Sequence, residues 1–295
     1  MRLEIRDITK TFGEKQVLKG ISMCAESGAA LGILGRNGAG KTTTLRILMD
    51  VFPADSGEVL LEGGKIDYSQ VRIGYLPEER GLYPKKTVIE QLVYFARLKG
   101  MTRQKAVQEA DRWLDRLDMG AYRGKRLDTL SKGNQQKIQL ITAVIHDPQI
   151  IMLDEPFSGL DPVNAALLKD VVKEEVERGK IVLFSSHQMG YIEEFCDQIA
   201  VLNGGEIVLQ GRLEAIKKAY PRDRLLIRSS EESDIAAAFP SACEQAERGL
   251  LFHLPVPSCK QEVMERLTGR FDIDEIRVLE PSLNDIFVEY TKERI

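Results

Sequence analysis

Residues 35–43 read Gly-Arg-Asn-Gly-Ala-Gly-Lys-Thr-Thr and follow directly on the apolar run Leu31-Gly-Ile-Leu34. This is the spacing G-x-x-x-x-G-K-[ST], and it requires a strand before the loop and a helix after it. Gly35, Gly38 and Gly40 are open to backbone angles barred to residues with a Cβ. The N–H groups along Gly35, Arg36, Asn37, Gly38, Ala39, Gly40 and Thr43 can therefore turn inward around an anion. Lys41 adds a point charge for the outer phosphates and Thr42 a hydroxyl for Mg²⁺, while Thr43 to Met49 continues as a helix whose positive end faces the phosphates. A glycine-rich turn alone would not call for the Lys-Thr pair. The segment implies a nucleoside triphosphate site.

The chain has 295 residues, 43% of them hydrophobic, which accommodates one large domain and a smaller one. A formal charge of −4 with both signs interspersed leaves no basic stripe, so nucleic acid is not indicated as a partner. The cysteines Cys24, Cys196, Cys243 and Cys259 form neither C-x-x-C pairs nor a dense framework, as suits reduced thiols in a cytosolic compartment. No apolar run approaches the roughly 18 residues of a membrane helix, so a membrane role would come through a partner.

Leu3 and Ile5 alternate as in a strand, and Leu31 to Leu34 and Gly57 to Glu62 are further strand candidates. From Thr87 the character turns helical: Thr87 and Glu90 form a T-x-x-E capping box, and Val107, Ala110, Leu114 and Leu117 recur at helical spacing beside Trp113. These helices interrupt the strand pattern, so an inserted helical subdomain is expected over about 80–150. Strand character resumes at Gln149 to Asp154, a helix starts at Pro162 capped by Asp161, and Ile181 to Phe184 and Ile199 to Leu202 are further strands. Strands alternating with helices indicate an α/β fold with a parallel sheet covered on both faces. The pattern breaks near Lys218 to Asp223, which divides the chain into 1–218 and a small α+β domain at 219–295. That tail has strand candidates at 225–227, 250–254 and 276–279, helices at 261–267 and from Ser282, and no catalytic constellation.

Asp154 and Glu155 follow the run Ile150-Ile-Met-Leu153, which puts two carboxylates at the carboxyl edge of a buried strand, where parallel sheets bind ligands. Two such acids can divide the work, Asp154 holding Mg²⁺ and Glu155 polarising the attacking water. Alone they fit turn capping before Pro156 equally well. Behind a phosphate loop the chemical reading prevails.

Phe12, the loop 35–43, Leu130-Ser-Lys-Gly-Asn134, Ile150 to Glu155, Ser158-Gly-Leu-Asp161 and His187 stand in the order and spacing of ATP-binding cassette (ABC) transporter ATPases, which the first 215 or so residues resemble. The resemblance implies a P-loop cassette that binds and hydrolyses ATP with Mg²⁺. It implies that Phe12 stacks on adenine, although a strand-end core aromatic is the alternative for this residue. Ser131 and Gly133 would meet the γ-phosphate of ATP bound to a second ATPase subunit, identical or a close paralogue, and Ser131 also suits an N-cap of a helix through Ile145. Asp161 would communicate between the two sites, and His187 would contact the γ-phosphate and the catalytic water.

Three positions depart from the family pattern: Lys132 replaces a glycine, Asn134 a glutamine, and Glu78 the glutamine whose amide oxygen faces Mg²⁺. Metal contact by Glu78 is accordingly a weaker expectation than contact by Thr42. The helical insertion and residues 78–87 lie where this family docks its integral membrane permease, which implies a peripheral position on the cytoplasmic face of the membrane. The tail ending Glu280-Pro-Ser-Leu-Asn-Asp-Ile-Phe287 resembles that of ATPase subunits of bacterial exporters for sodium, drugs or peptide antibiotics. The alternative is a soluble ATP-dependent clamp on ribosomes or DNA. It would be favoured by a second cassette or a long heptad insertion, and this sequence has neither.

Overall fold

The computed structural model describes residues 1–79, 81–158, 160–246 and 249–291. The chain divides into a compact unit Met1–Leu213 and a second from Glu214 on. The first unit contains, in order, β1 (Arg2–Phe12), β2 (Lys15–Glu26), β3 (Ala30–Leu34), α1 (Lys41–Leu48), β4 (Ser56–Leu61), β5 (Gly64–Lys65) and β6 (Ile73–Leu76). It continues through α2 (Val88–Leu98), α3 (Arg103–Arg116), α4 (Lys132–Val144), β7 (Ile150–Asp154), α5 (Pro162–Glu177), β8 (Ile181–Ser186), α6 (Met189–Phe195), β9 (Gln198–Asn203) and β10 (Glu206–Arg212).

Among the described residues two sheets build this unit. One is antiparallel, in the order β2-β1-β4-β5; the other runs β10-β9-β3-β8-β7-β6, parallel except for β10 at its edge. Every residue of β3, β7 and β8 is buried. That is why these strands read as continuous apolar runs, whereas β1 buries only Leu3, Ile5 and Ile8. Leu3, Ile5, Leu18 and Ile21 join Ile33, Leu45, Leu48, Met152 and Leu183 in one core, so the antiparallel sheet and α1 close over one face of the parallel sheet. The register pairs Leu34 with Ser186, Asp154 with Ser185 and Leu76 with Leu153. The carboxyl ends of β3, β8, β7 and β6 are therefore aligned along one edge.

The local signals act as their chemistry dictates. The Thr87 side chain accepts the Glu90 N–H while Glu90 reaches back to the Thr87 N–H, closing the capping box of α2. Ser131 accepts the Asn134 N–H at the start of α4, and Asp161 accepts the Asn164 N–H at the start of α5. One helical phase differs from the sequence expectation: α3 buries Ala106, Ala110, Trp113 and Leu114, while Val107 is only half-buried. The seam is narrow enough to take an alanine where a valine was expected, and Trp113 lies within it rather than beside it. The first unit also ends at Leu213, before the expected break at 218. Leu213 is buried and its N–H is held by the Asp197 carbonyl, which fastens the end of β10 to its own unit. A short helix, α7 (Leu213–Ala219), begins there.

The second unit contains β11 (Arg224–Arg228), α8 (Glu232–Ala238), β12 (Cys243–Ala246), β13 (Gly249–His253), α9 (Lys260–Thr268), β14 (Glu275–Leu279) and α10 (Leu283–Thr291). Its antiparallel sheet has the order β12-β13-β11-β14 and a core of Leu225, Ile227, Ile235, Leu250, Phe252 and Leu267. The sequence reading lacked α8 and β12. Strand β12, Cys-Glu-Gln-Ala, buries no residue and so carries no apolar signature.

Helix α4 lies directly against β6. A Cβ built on Gly74 would run into the Ala143 carbonyl oxygen and come within 3.0 Å of Pro148. Gly74→Ala is therefore expected to lower unfolding stability by about 1–3 kcal/mol through overpacking. An unchanged urea midpoint would contradict this close approach.

Candidate functional site

The aligned strand ends form a cleft of about 420 Å³. It is lined by Arg36, Asn37, Gly38, Gly40, Lys41, Thr42 and Thr43 of the loop after β3, by Glu78 beyond β6, by Glu155 beyond β7, and by Lys15 and Val17 of β2. The glycines of the loop serve different purposes. Gly38 (φ +82°) and Gly40 (φ +111°) occupy the left-handed region. Gly35 does not, contrary to the sequence expectation; it is needed for space, since a Cβ there would lie 2.7 Å from the Leu202 carbonyl oxygen and 2.9 Å from Ala39 Cβ. Gly40 is the residue before α1 and offers no side-chain cap, so no side chain competes with an anion for the first N–H groups of that helix.

Lys41 and Glu155 are the electrostatic centre. They are 7% and 4% exposed, and Lys41 Nζ lies 3.4 Å from Glu155 Oε1 while donating to the Gly35 carbonyl at 2.8 Å. His187, just beyond β8 and half exposed, places Nδ1 2.9 Å from the same Oε1. Ser186 Oγ donates to the other oxygen, Oε2, at 3.1 Å. Oε1 is buried between the Lys41 ammonium and the His187 imidazole, yet neither is aligned as a hydrogen bond to it. A carboxylate oxygen so placed keeps lone pairs for an incoming O–H. Glu155 itself sits at φ +49°, a left-handed conformation rare outside glycine and held here by its N–H bond to the Ser185 carbonyl at 3.0 Å.

Asp154 is fully buried beneath the cleft and is not part of its lining. Its Oδ1 accepts from Ser185 Oγ and its Oδ2 from the Tyr75 hydroxyl at 3.4 Å. Burial foremost, and then the Asp154 charge, push the Tyr75 pKa up to about 12, which keeps that hydroxyl a donor. Ser185, Ser186 and Tyr75 had no place in the site expected from the sequence. The two serines stand immediately before His187, and that adjacency was the available signal.

The remaining expected residues lie elsewhere. Gly35 and Ala39 are buried under the loop. Phe12 does not line the cleft: it is 47% exposed, edge-on to Phe52 at 5.4 Å, with Lys10 Nζ 5.6 Å from each ring. Ser131, Gly133 and Asp161 are also outside it. Gly133 and the Asp161 cap form a group of their own, since a Cβ on Gly133 would lie 2.7 Å from Asn164 Nδ2 and 3.7 Å from Asp161 Oδ2. Gly159 of the Ser158–Asp161 segment lies outside the described residues.

Among the described residues no three or more His, Cys, Asp or Glu side chains gather to hold a metal unaided. Mg²⁺ in nucleotide sites is bound largely through phosphate oxygens, with only one or two protein ligands. Thr42 and Glu78 in the cleft wall, with Asp154 behind, fit that group, and the uncapped start of α1 and the crowded Gly35 fit a bound polyphosphate.

Residues 18–158 match the family described as ABC transporter, and residues 211–291 match the C-terminal domain of ATP-binding proteins like DrrA1-3. YhaQ of Bacillus subtilis (strain 168), described as an uncharacterized ABC transporter ATP-binding protein, is 42% identical over 97% of this chain and 97% of its own length. The linearmycin resistance ATP-binding protein LnrL of the same organism is 32% identical over 71% of this chain and 68% of its own. A solved ATP-binding subunit of an ABC transporter superposes with a TM-score of 0.68 at 25% identity, over 74% of this chain and 92% of that one.

Glu155→Gln keeps the shape of the cleft and replaces the expected base with an amide. Steady-state ATP turnover is expected to fall about 10²- to 10⁴-fold, with ATP still bound. Turnover at the wild-type rate would show that Oε1 takes no part.

Proposed function

The chain belongs to the ABC transporter ATP-binding proteins, and from that premise we propose that two copies, or one copy and a close paralogue, close around ATP and Mg²⁺ to drive a separate membrane permease outward. As the ATP-binding subunit it is an ATPase whose hydrolysis is coupled to transport. The proposal concerns the roles of its residues, its partners and the direction.

Within one protomer, Lys41 leaves the Gly35 carbonyl and Glu155 to meet the outer phosphates, and the loop N–H groups with the start of α1 bind the rest. Glu155 Oε1 then accepts a proton from the attacking water, with Ser186 fixing the other oxygen and His187 turned from Glu155 toward the γ-phosphate. Bound Mg²⁺, held by Thr42 and Glu78 with Asp154 behind, would neutralise charge on the phosphates. Phe12 stands exposed, where an adenine can stack on it.

The observation that carries the two-subunit reading is a separation. Ser131 and Gly133 sit at the start of α4, which the Ser131 side chain caps, yet lie outside the cleft of their own chain. ATP bridging that start to the phosphate loop of a second subunit favours the closed pair, and hydrolysis removes the bridge. Asp161, which packs beside Gly133, would pass the change between sites. The groove by Tyr83, Gln91 and Tyr94 supports docking of a permease, and with it a peripheral place on the cytoplasmic face of the membrane. Outward transport draws support from the DrrA-like tail and from the resistance protein LnrL. No helix among the described residues is long and apolar enough to cross a membrane.

Lys41→Ala and Ser131→Ala protomers are each expected to be inactive alone, whereas their equal mixture contains heterodimers with one intact composite site of two and, with random pairing, regains about a quarter of the wild-type rate. A mixture that forms heterodimers but gains nothing, or either variant alone at full rate, would contradict shared sites. Copurification of an integral membrane protein with the tagged chain is the matching result for coupling to a permease.

A further inference from the structure

The acids of the cleft are carried differently. Glu155 follows a buried strand inside the sheet, but Glu78 lies beyond β6, at the edge of the parallel sheet, with no strand on its far side among the described residues. Helix α4 runs antiparallel to β6 and supplies what the sheet does not. His146 Nε2 lies 3.2 Å from the Ile73 carbonyl, Ala143 abuts Gly74, and Gln139 reaches the turn beyond the strand.

Gln139 Nε2 donates to the Pro77 carbonyl at 2.9 Å and to the Glu79 carbonyl at 3.2 Å, which are the two carbonyls flanking Glu78. The side chain is 2% exposed. The reverse amide orientation would set Oε1 against two carbonyl oxygens, so the nitrogen must face them. One turn earlier, Gln136 Nε2 donates in the same way to the Pro156 carbonyl at 3.2 Å, next to Glu155. A single face of α4 thus fastens the backbone beside both cleft acids, although neither glutamine lines the cleft.

We propose that Gln139 is a positioning residue for Glu78: by clamping the carbonyls on either side, it fixes where that carboxylate enters the nucleotide cleft. This rests on the reading of Glu78 as a metal-facing acid. The clamp is worth more here than in a cassette with glutamine at 78. A carboxylate drawn toward a cation and repelled by phosphate oxygens is pulled both ways, and only its backbone can hold it at one distance. Outer residues that orient a ligand in this manner change metal affinity without touching the metal.

Gln139→Met keeps the length of the side chain and removes both donors. In protein free of nucleotide and metal, amide hydrogen exchange at Glu78 and Glu79 is expected to rise about tenfold or more, with β7 and α1 unchanged. The half-saturating Mg²⁺ concentration for ATP hydrolysis is expected to rise about 10- to 100-fold, while ATP affinity measured in EDTA stays within about twofold. In a Glu78→Ala background, Gln139→Met is expected to add no further rise in the Mg²⁺ requirement, because the residue to be positioned is gone. Gln139→Glu, which turns the donors into an acceptor, must move exchange and Mg²⁺ requirement in the same direction; thermal unfolding of each variant separates this from global loss of structure. Unaltered exchange at Glu78 and Glu79, or an equal rise in Mg²⁺ requirement with and without Glu78, would overturn the positioning role while leaving the metal reading of Glu78 intact. A wild-type Mg²⁺ requirement in Glu78→Ala alone would overturn the metal reading, and the positioning role with it.

Discussion

The cleft depends on a buried ion pair. Lys41 and Glu155 come from different strand ends and meet at 3.4 Å with almost no solvent around them. Removing either partner from such a pair leaves an uncompensated buried charge, at a cost of about 3–5 kcal/mol. In the cleft as it stands each charge therefore keeps the other in place, and His187 Nδ1 adds a second nitrogen contact to Oε1 at 2.9 Å. A polyphosphate entering along the loop offers Lys41 a stronger partner. In the proposed cycle Glu155 would then be free to face water, in a conformation already fixed by Ser185 and Ser186. Binding and activation would be linked through the same lysine.

The parallel sheet makes this meeting possible. Its register brings Leu34, Asp154, Ser186 and Leu76 to one edge, so residues distant in sequence deliver side chains to one volume. The cost is that Asp154 is drawn fully under the edge, where Ser185 and Tyr75 occupy it. It orders the floor of the cleft, while Thr42, Glu78 and Glu155 make up its wall.

Much of this was legible in the sequence wherever the cause is local. The loop 35–43 is a backbone requirement written in glycines, and Thr87, Ser131 and Asp161 are caps whose partners lie three residues away. The buried strands β3, β7 and β8 announce themselves as apolar runs. What the sequence could not show depends on register between distant elements. Gln139 belongs to no motif, and its two acceptors lie 62 and 60 residues away. Gly35 looks like its neighbours Gly38 and Gly40, yet it answers to crowding by Leu202 and not to a positive φ. The edge-on packing of Phe12 against Phe52, with the ring left half exposed, likewise joins residues 40 apart in sequence. The missed α8 and β12 are short, and β12 has no buried face to mark it.

The central claim is that one protomer holds only half of each site, because Ser131 and Gly133 at the start of α4 lie outside the cleft of their own phosphate loop. Specific ATPase activity measured against protein concentration, with sedimentation velocity on the same samples, tests this most directly. Activity per protomer should climb with concentration and level off as the ATP-bound pair becomes the dominant species. Constant activity per protomer across a range in which the protein sediments as a monomer would contradict it.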